Sequence, residues 1–245
     1  MKAVIALGFG AFFLSSLAIG LRLVWLARRN RELPELLIGF GILGIGPVGF
    51  AGSVFAILLG PGHPAAGACL LAGATVAVSL GALSSYVFNW RVFRRGDGLA
   101  KGIVFGAGLL FAVLFVVRLA TGGFVLPVRL DAWFHLQSMA VTGCLLWGSG
   151  ESLHYYALMT RRLRLGLADP IVTNRFLLWG LGIGSAGAGS LISTIFTALT
   201  GAGMQGLNWL TLSNSLFGLA AAVLMWIAFL PPAPYRRWIA RPVAS

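Results

Sequence analysis

Glu151 and His154 are the two side chains in this sequence best placed to do chemistry. They lie three residues apart, on one face of a helix, within an apolar run over residues 134–158. Gln137, Cys144 and Glu151 recur every seven residues on that face, and Trp147, His154 and Tyr155 extend it. Ionisable groups inside a membrane are costly, and they mark ion paths, proton relays or ligand anchors. Glu151 sits roughly 10 Å inside the end of the run at 1.5 Å per residue. A carboxylate and an imidazole there suit a relay or an anchor. The plainer alternative is a helix fastener, with Glu151 paired to His154, to Tyr86, or to Arg22 or Arg91.

A second constellation lies toward the other end. Arg118, Asp131, His135, Gln137 and Asn214 are placed to form an outward-facing pocket suited to an anion. The simpler expectation is that Arg118 snorkels to the interface.

Other chemistries lack their residues. The three histidines are His63, His135 and His154; the last two are roughly 28 Å apart along one helix, so they do not clamp a haem. Glu-x-x-His is half of a di-iron motif, but that site needs a second copy and two further glutamates. Glu32 and Glu35 are the only others, and both fall at the interface. Lys2 and Lys101 lie outside the apolar runs, which excludes a retinal Schiff base. Asp97, Asp131 and Asp169 all fall in loops, which excludes an intramembrane aspartyl protease. Ser149 and His154 point about 140° apart on their helix rather than forming a nucleophile–base pair. Cys69 and Cys144 read as small buried apolar residues. The chain is expected to be no enzyme and to hold no cofactor and no metal.

The elements that carry these residues follow from hydropathy. Of 245 residues, 58% are hydrophobic and 10% charged, whereas a soluble domain has about 25% charged. A helix crosses the hydrocarbon layer in about 20 apolar residues. On that measure the sequence predicts a seven-helix all-α membrane bundle, with spans over 4–26, 35–59, 68–90, 102–124, 134–158, 176–199 and 210–230. Lys2 followed by an apolar run superficially resembles a signal peptide, but no A-x-A-like site follows, and the run reads as a first span. Residues 231–245, with Tyr235, Arg236, Arg237 and Trp238, read as an interfacial tail on anionic lipid.

Charge sets the orientation. Arginines 28, 29, 31, 91, 94, 95, 161, 162, 164, 175, 236, 237 and 241, with Lys101, share one side, and Lys2 and Arg129 the other. Basic residues are retained in the cytoplasm, so the N-terminus is expected outside and the C-terminus inside. The net charge of +12 therefore reads as topology rather than nucleic-acid binding. The expected location is a cell membrane, of prokaryotic inner-membrane type.

An internal repeat is faintly legible. Leu36-Leu37-x-Gly39-x-Gly41-Ile42-x3-Gly46 matches Leu177-Leu178-x-Gly180-x-Gly182-Ile183-x3-Gly187, and Trp90-x-x-Phe93 matches Trp226-x-x-Phe229. Two parallel three-helix units joined by a fourth helix would give this pattern, as would chance alignment of common membrane residues. Glycines along the second and sixth spans predict close backbone packing. Pro47 predicts a kink, with a hinge or cavity opposite it as the sharper expectation.

The layout is similar to those of rhodopsins, seven-helix receptors and small sugar exporters. The signatures differ: no acid precedes Asn89-Trp90-Arg91, there is no Asn-Pro-x-x-Tyr, and no proline–glutamine motif. The leading expectation is a sensor-like receptor binding a small molecule or lipid within the bundle and acting through a cytoplasmic or membrane protein partner. The alternatives are a small-solute transporter, proton-coupled through Glu151 and His154, and an accessory subunit of a membrane complex.

Overall fold

Five of the six acidic residues stand at helix starts, and they explain where the chain turns. In the computed structural model, which describes residues 2–201 and 209–239, the described backbone is helix and connecting loop, without strands. The helices are α1 (Lys2–Asn30), α2 (Leu33–Leu59), α3 (Pro64–Phe93), α4 (Gly98–Ala120), α5 (Ala132–Arg164), α6 (Pro170–Thr200), α7 (Trp209–Phe229) and α8 (Ala233–Ile239). Asp97, Asp131 and Asp169 cap α4, α5 and α6: their carboxylates accept from Leu99 N at 2.8 Å, Phe134 N at 2.8 Å and Ile171 N at 2.7 Å. Pro34, Pro64 and Pro170 occupy first turns, where a missing N–H costs nothing. Glu151 is the acid left for another purpose.

These caps carry an expected result. Asp97→Ala should lower stability by about 1 kcal/mol, the usual worth of an N-cap, and speed amide exchange at Leu99 and Ala100. Unchanged protection of those two amides would show that the cap is not holding the helix start.

Six helices, α1, α2, α3, α4, α6 and α7, are long and apolar enough to cross a membrane. The fifth is the longest, at 33 residues, but Gln137, Glu151 and a series of serines and threonines dilute its hydropathy. Outward faces carry large bare apolar side chains, such as Leu7, Leu14, Leu21 and Trp25 on α1 and Phe105, Leu109, Val116 and Leu119 on α4. Water would not tolerate that much exposed hydrocarbon. The chain has the make-up of a multi-pass helical membrane bundle.

Neighbours form a ring. α1 packs on α2, α2 on α3, α3 on α5, α5 on α6, α6 on α7, and α7 back on α1. α4 lies outside, against α3 and α5. It buries one stripe, Ala100, Val104, Ala107, Phe111, Leu114 and Arg118. Within the ring, backbones come close where glycines allow it. A Cβ built on Gly81 of α3 would stand 2.8 Å from Ile45 N and 2.9 Å from Gly44 Cα of α2.

Two segments wind as π-helix, Gly44–Phe50 in α2 and Asn89–Phe93 at the end of α3. The first contains Pro47, which has no N–H and whose ring crowds the carbonyl four residues back; beyond it, Ala51 N reaches back five residues to Gly46 O. The predicted kink is thus a local unwinding. In the second, Arg94 N bonds Asn89 O at 3.3 Å, again five residues back.

Boundaries shift in explicable ways. Most helices run past the apolar stretch into their caps. The fourth predicted span, 102–124, stops instead at Ala120: Gly122 takes φ 63°, the chain reverses, and Phe124 folds back onto Phe115 at 5.4 Å between ring centres. Cys69 is exposed rather than buried, so it faces the surroundings of the bundle. In the tail, α8 lies with Trp238 exposed and the Tyr235 hydroxyl accepting from the Asn174 side chain of α6. The rest of the predicted tail, 240–245, and most of the loop before α7, 202–208, lie outside the described residues.

Candidate functional site: a central apolar cavity

The ring surrounds a partly open cavity of about 110 Å³ to which all six of its helices contribute. From α2 come Ile38, Gly41, Ile42 and Ile45; from α6, at the same spacing, come Trp179, Gly182, Ile183 and Ala186. α3 contributes Ser85 and Asn89, and α7 contributes Ala221 and Met225, again four apart. The π segment around Pro47 supplies Ile45 and Gly46, so the cavity does lie against the distorted stretch of α2.

The lining is apolar in effect as well as in composition. Its hydroxyls bond within their own helices: Ser15 Oγ donates to Ala11 O at 2.5 Å, Ser16 Oγ to Phe12 O at 2.6 Å, and Ser85 Oγ to Gly81 O at 3.1 Å. Asn89 Nδ2 donates to Cys144 O on α5 at 3.3 Å. With these donors engaged, and a lining otherwise mostly of aliphatic and aromatic side chains, entry of a sugar or an ion would cost it water and return few new hydrogen bonds. A hydrocarbon loses nothing.

Toward the arginine-rich end the cavity meets an aromatic floor. Trp179 contacts Phe88, Phe93 and Phe229 with ring centres 5.2, 6.3 and 5.8 Å away, and Phe93 continues to Tyr155 at 4.9 Å. Phe93 and Phe229 are the two phenylalanines of the repeated Trp-x-x-Phe pattern.

Beyond the floor is Glu151. Its carboxylate is 6% exposed and accepts from Arg94 Nε at 2.7 Å and from Trp147 Nε1 at 3.0 Å. The hydrogen bond to Glu151, and next its charge, raises the Arg94 pKa above its ordinary value. The partner is therefore Arg94 at the end of α3, rather than His154, Tyr86, Arg22 or Arg91. Arg22 donates to Phe229 O at 3.2 Å, and Arg91 lies 4.6 Å over the Trp90 ring. His154 is exposed, its ring edge-on to Tyr155 at 6.2 Å, so the polar face of α5 turns outward there. Tyr155 Oη reaches Phe93 O at 3.5 Å, and Tyr86 Oη donates to Ala140 O at 2.7 Å. The buried stripe Gln137, Cys144 and Glu151 lies inward as expected.

At the opposite end Arg118 is 2% exposed and does not snorkel. The reversal at Gly122 brings Gly123 O to within 3.1 Å of Nη2, and Gln137 Oε1 lies 3.4 Å from Nη1. The guanidinium also sits 5.1 Å from the Phe124 ring and 5.8 Å from the Phe134 ring. Gln137 in turn donates to Ser79 Oγ at 3.3 Å. Asp131 caps α5. His135 is half-buried, with Nδ1 out of contact with any acceptor or donor. Asn214 belongs to α7, which packs on α1 and α6, so the five residues of the predicted outward pocket are not gathered into one site. Among the described residues, no three His, Cys, Asp or Glu side chains come together.

Sequence reasoning missed the cavity lining itself. The available signal was the glycine–isoleucine pattern shared by α2 and α6, which read as packing and also marks the wall of a hollow. No family model matches the chain, and neither a curated protein nor a solved structure matches it.

Proposed function

We propose that this chain is a non-enzymatic, seven-span membrane protein that binds a small apolar molecule or a lipid chain in its central cavity and reports occupancy at its arginine-rich end. In this reading α5 is the seventh span. Gln137, Thr142, Ser149, Glu151 and Ser152 are buried against neighbours, which lowers the cost that its modest hydropathy implies. The arginine-rich end is cytoplasmic by the charge asymmetry, with the N-terminus outside and the C-terminus inside.

The observation that carries the reading is the cavity: central, walled by every helix of the ring, and with its serine hydroxyls and the Asn89 amide nitrogen already donating to backbone carbonyls. Engineered cavities of comparable size, roughly 150 Å³ and apolar, stay dry and take benzene or xenon. A route to the arginine-rich end is built in. Asn89 touches the cavity and begins the π segment that ends beside Arg94, the partner of Glu151. Such segments recur at functional sites, and a ligand pressing on Asn89 would move the Arg94–Glu151 contact that a cytoplasmic partner could read.

Native mass spectrometry of the protein taken from mild detergent, with its absorption spectrum, tests this. The wild type should retain a small apolar or lipid-like adduct, and Ala186→Phe, which fills the cavity from α6, should lose it. Equal retention by both, or a bare chain from both, would remove the cavity as the site.

Carriage of an apolar solute is a second reading. The matched positions on α2 and α6, and on α3 and α7, support two parallel three-helix units, an arrangement in which some carriers hold substrate between the units. Net movement of a solute across proteoliposomes would separate carriage from sensing. Proton coupling through Glu151 and His154 does not enter either reading, because neither residue lines the cavity.

A further inference from the structure

We infer that the seam between α1 and α7 is a lateral doorway through which the alkyl chain of a single-chain membrane amphiphile passes from the bilayer into the central cavity. The inference rests on the cavity being a binding site. Outside the seam lies a groove of about 170 Å³ lined by Ala11, Ser15, Ala222, Val223, Trp226 and Ile227. Ser15 and Ala222 also line the central cavity. Groove and cavity thus share a wall of two small side chains.

The seam is fastened on either side of that wall. Toward the start of α1, Gly8 lies so close to the Ser215 backbone of α7 that a Cβ would collide with it. Toward the arginine-rich end, Arg22 Nη1 donates to Phe229 O at 3.2 Å. Between these two contacts, in a stretch of seam that also holds Phe12 and Met225, Ser15 and Ala222 are the residues that line both groove and cavity. The aromatic floor of Phe88, Phe93, Trp179 and Phe229 closes the route from the arginine-rich end.

Depth and chemistry select the guest. Ser15 lies roughly 20 Å along α1 at 1.5 Å per residue, in the middle of a hydrocarbon layer about 30 Å thick. Lipid chains are what the bilayer offers at that depth. Ser15 donates to its own helix, so the doorway presents no open hydrogen-bonding group to an incoming chain. A hollow near the benzene-binding size takes only the last few methylenes of one chain, so the rest of the chain and its head group stay outside.

The test uses the protein in phosphatidylcholine nanodiscs with palmitic acid carrying a diazirine near its methyl end, followed by irradiation and peptide mapping. In the wild type, label should reach Ile19, Met225 and Trp179 inside the ring. Ala222→Trp should cut that interior labelling by about tenfold, equivalent to roughly 1.4 kcal/mol, while label on Trp226 at the groove persists. Ser15→Phe closes the same wall from the α1 side and should repeat the result if the tryptophan variant misfolds. Interior labelling that is equal in the wild type and the folded variants overturns the doorway. Fluorobenzene, followed by fluorine NMR, separates the two levels of the argument. If it binds the wild type and not Ala186→Phe while no chain label reaches the interior, the cavity stands and the doorway falls. If neither probe enters, both fall.

Discussion

Gly81→Leu should not yield a folded, monodisperse protein, and Gly81→Ala alone should lower stability by about 1–3 kcal/mol, the usual cost of overpacking. The reason is what a new side chain would strike. A Cβ at this position meets Ile45 N at 2.8 Å, Gly44 Cα at 2.9 Å and Gly44 C at 3.0 Å, all of them backbone atoms. A flexible side chain could swing aside; the backbone of a neighbouring helix cannot without opening the whole α2–α3 contact. That contact also carries the hydrogen bond from Ser84 Oγ to Leu37 O at 2.8 Å. Gly73, on the same helix, is the control, since a Cβ there meets nothing within 4 Å. Gly73→Ala should be neutral or stabilising by up to about 1 kcal/mol through helix propensity. Thermal unfolding of both variants in one detergent decides the matter. Equal midpoints for Gly81→Ala and Gly73→Ala would mean that the two helices are not in close contact.

Arg94→Ala should destabilise the protein more than Glu151→Gln, and the double variant should be more stable than Arg94→Ala alone. The two ends of the ion pair differ: the Arg94 side chain is 51% exposed and Glu151 is 6% exposed. Removing the arginine leaves a buried carboxylate with only the Trp147 N–H for company, and an orphaned buried charge is costlier than a missing pair. Removing the carboxylate leaves a guanidinium that can turn to water, where an exposed charge loses little. Unfolding midpoints of the two single variants and the double give the order directly. If Glu151→Gln proved the more damaging, the carboxylate would have a role beyond holding Arg94, and the relay or anchor expected of it would regain its claim.

Much of the helical layout is legible in the sequence because apolar runs and their caps are local signals. The inward direction of Gln137, Cys144 and Glu151 follows from a seven-residue spacing, and the distortion at Pro47 from a missing N–H. The partner of Glu151 is not legible. Arg94 lies beyond the apolar run that ends near Trp90, and only the π winding of Asn89–Phe93 carries the chain on and sets it beside the carboxylate. Arg118 is misread for a similar reason: snorkelling is the default for an arginine near a helix end, and the reversal at Gly122 that supplies Gly123 O depends on tertiary contacts of Phe124. The apolar character of the cavity is hidden most deeply. Ser15, Ser16 and Ser85 look polar in sequence, and only their bonds to carbonyls within their own helices make them inert toward a ligand.

The buried stripe of α4 has a consequence for how that outer helix is placed. Ala100, Val104, Ala107, Phe111, Leu114 and Arg118 alternate steps of four and three, the heptad rhythm of a coiled-coil seam. An apolar seam of this kind can slide by a turn with little change in contact, so by itself it fixes the helix poorly along its axis. Arg118 breaks that degeneracy. Gly123 O travels with α4, but only one axial register also sets the guanidinium against Gln137 of α5; a one-turn slip would part a buried positive charge from that side chain. The arginine thus acts toward α4 as a buried polar residue acts in a two-stranded coil, trading some stability for a single alignment.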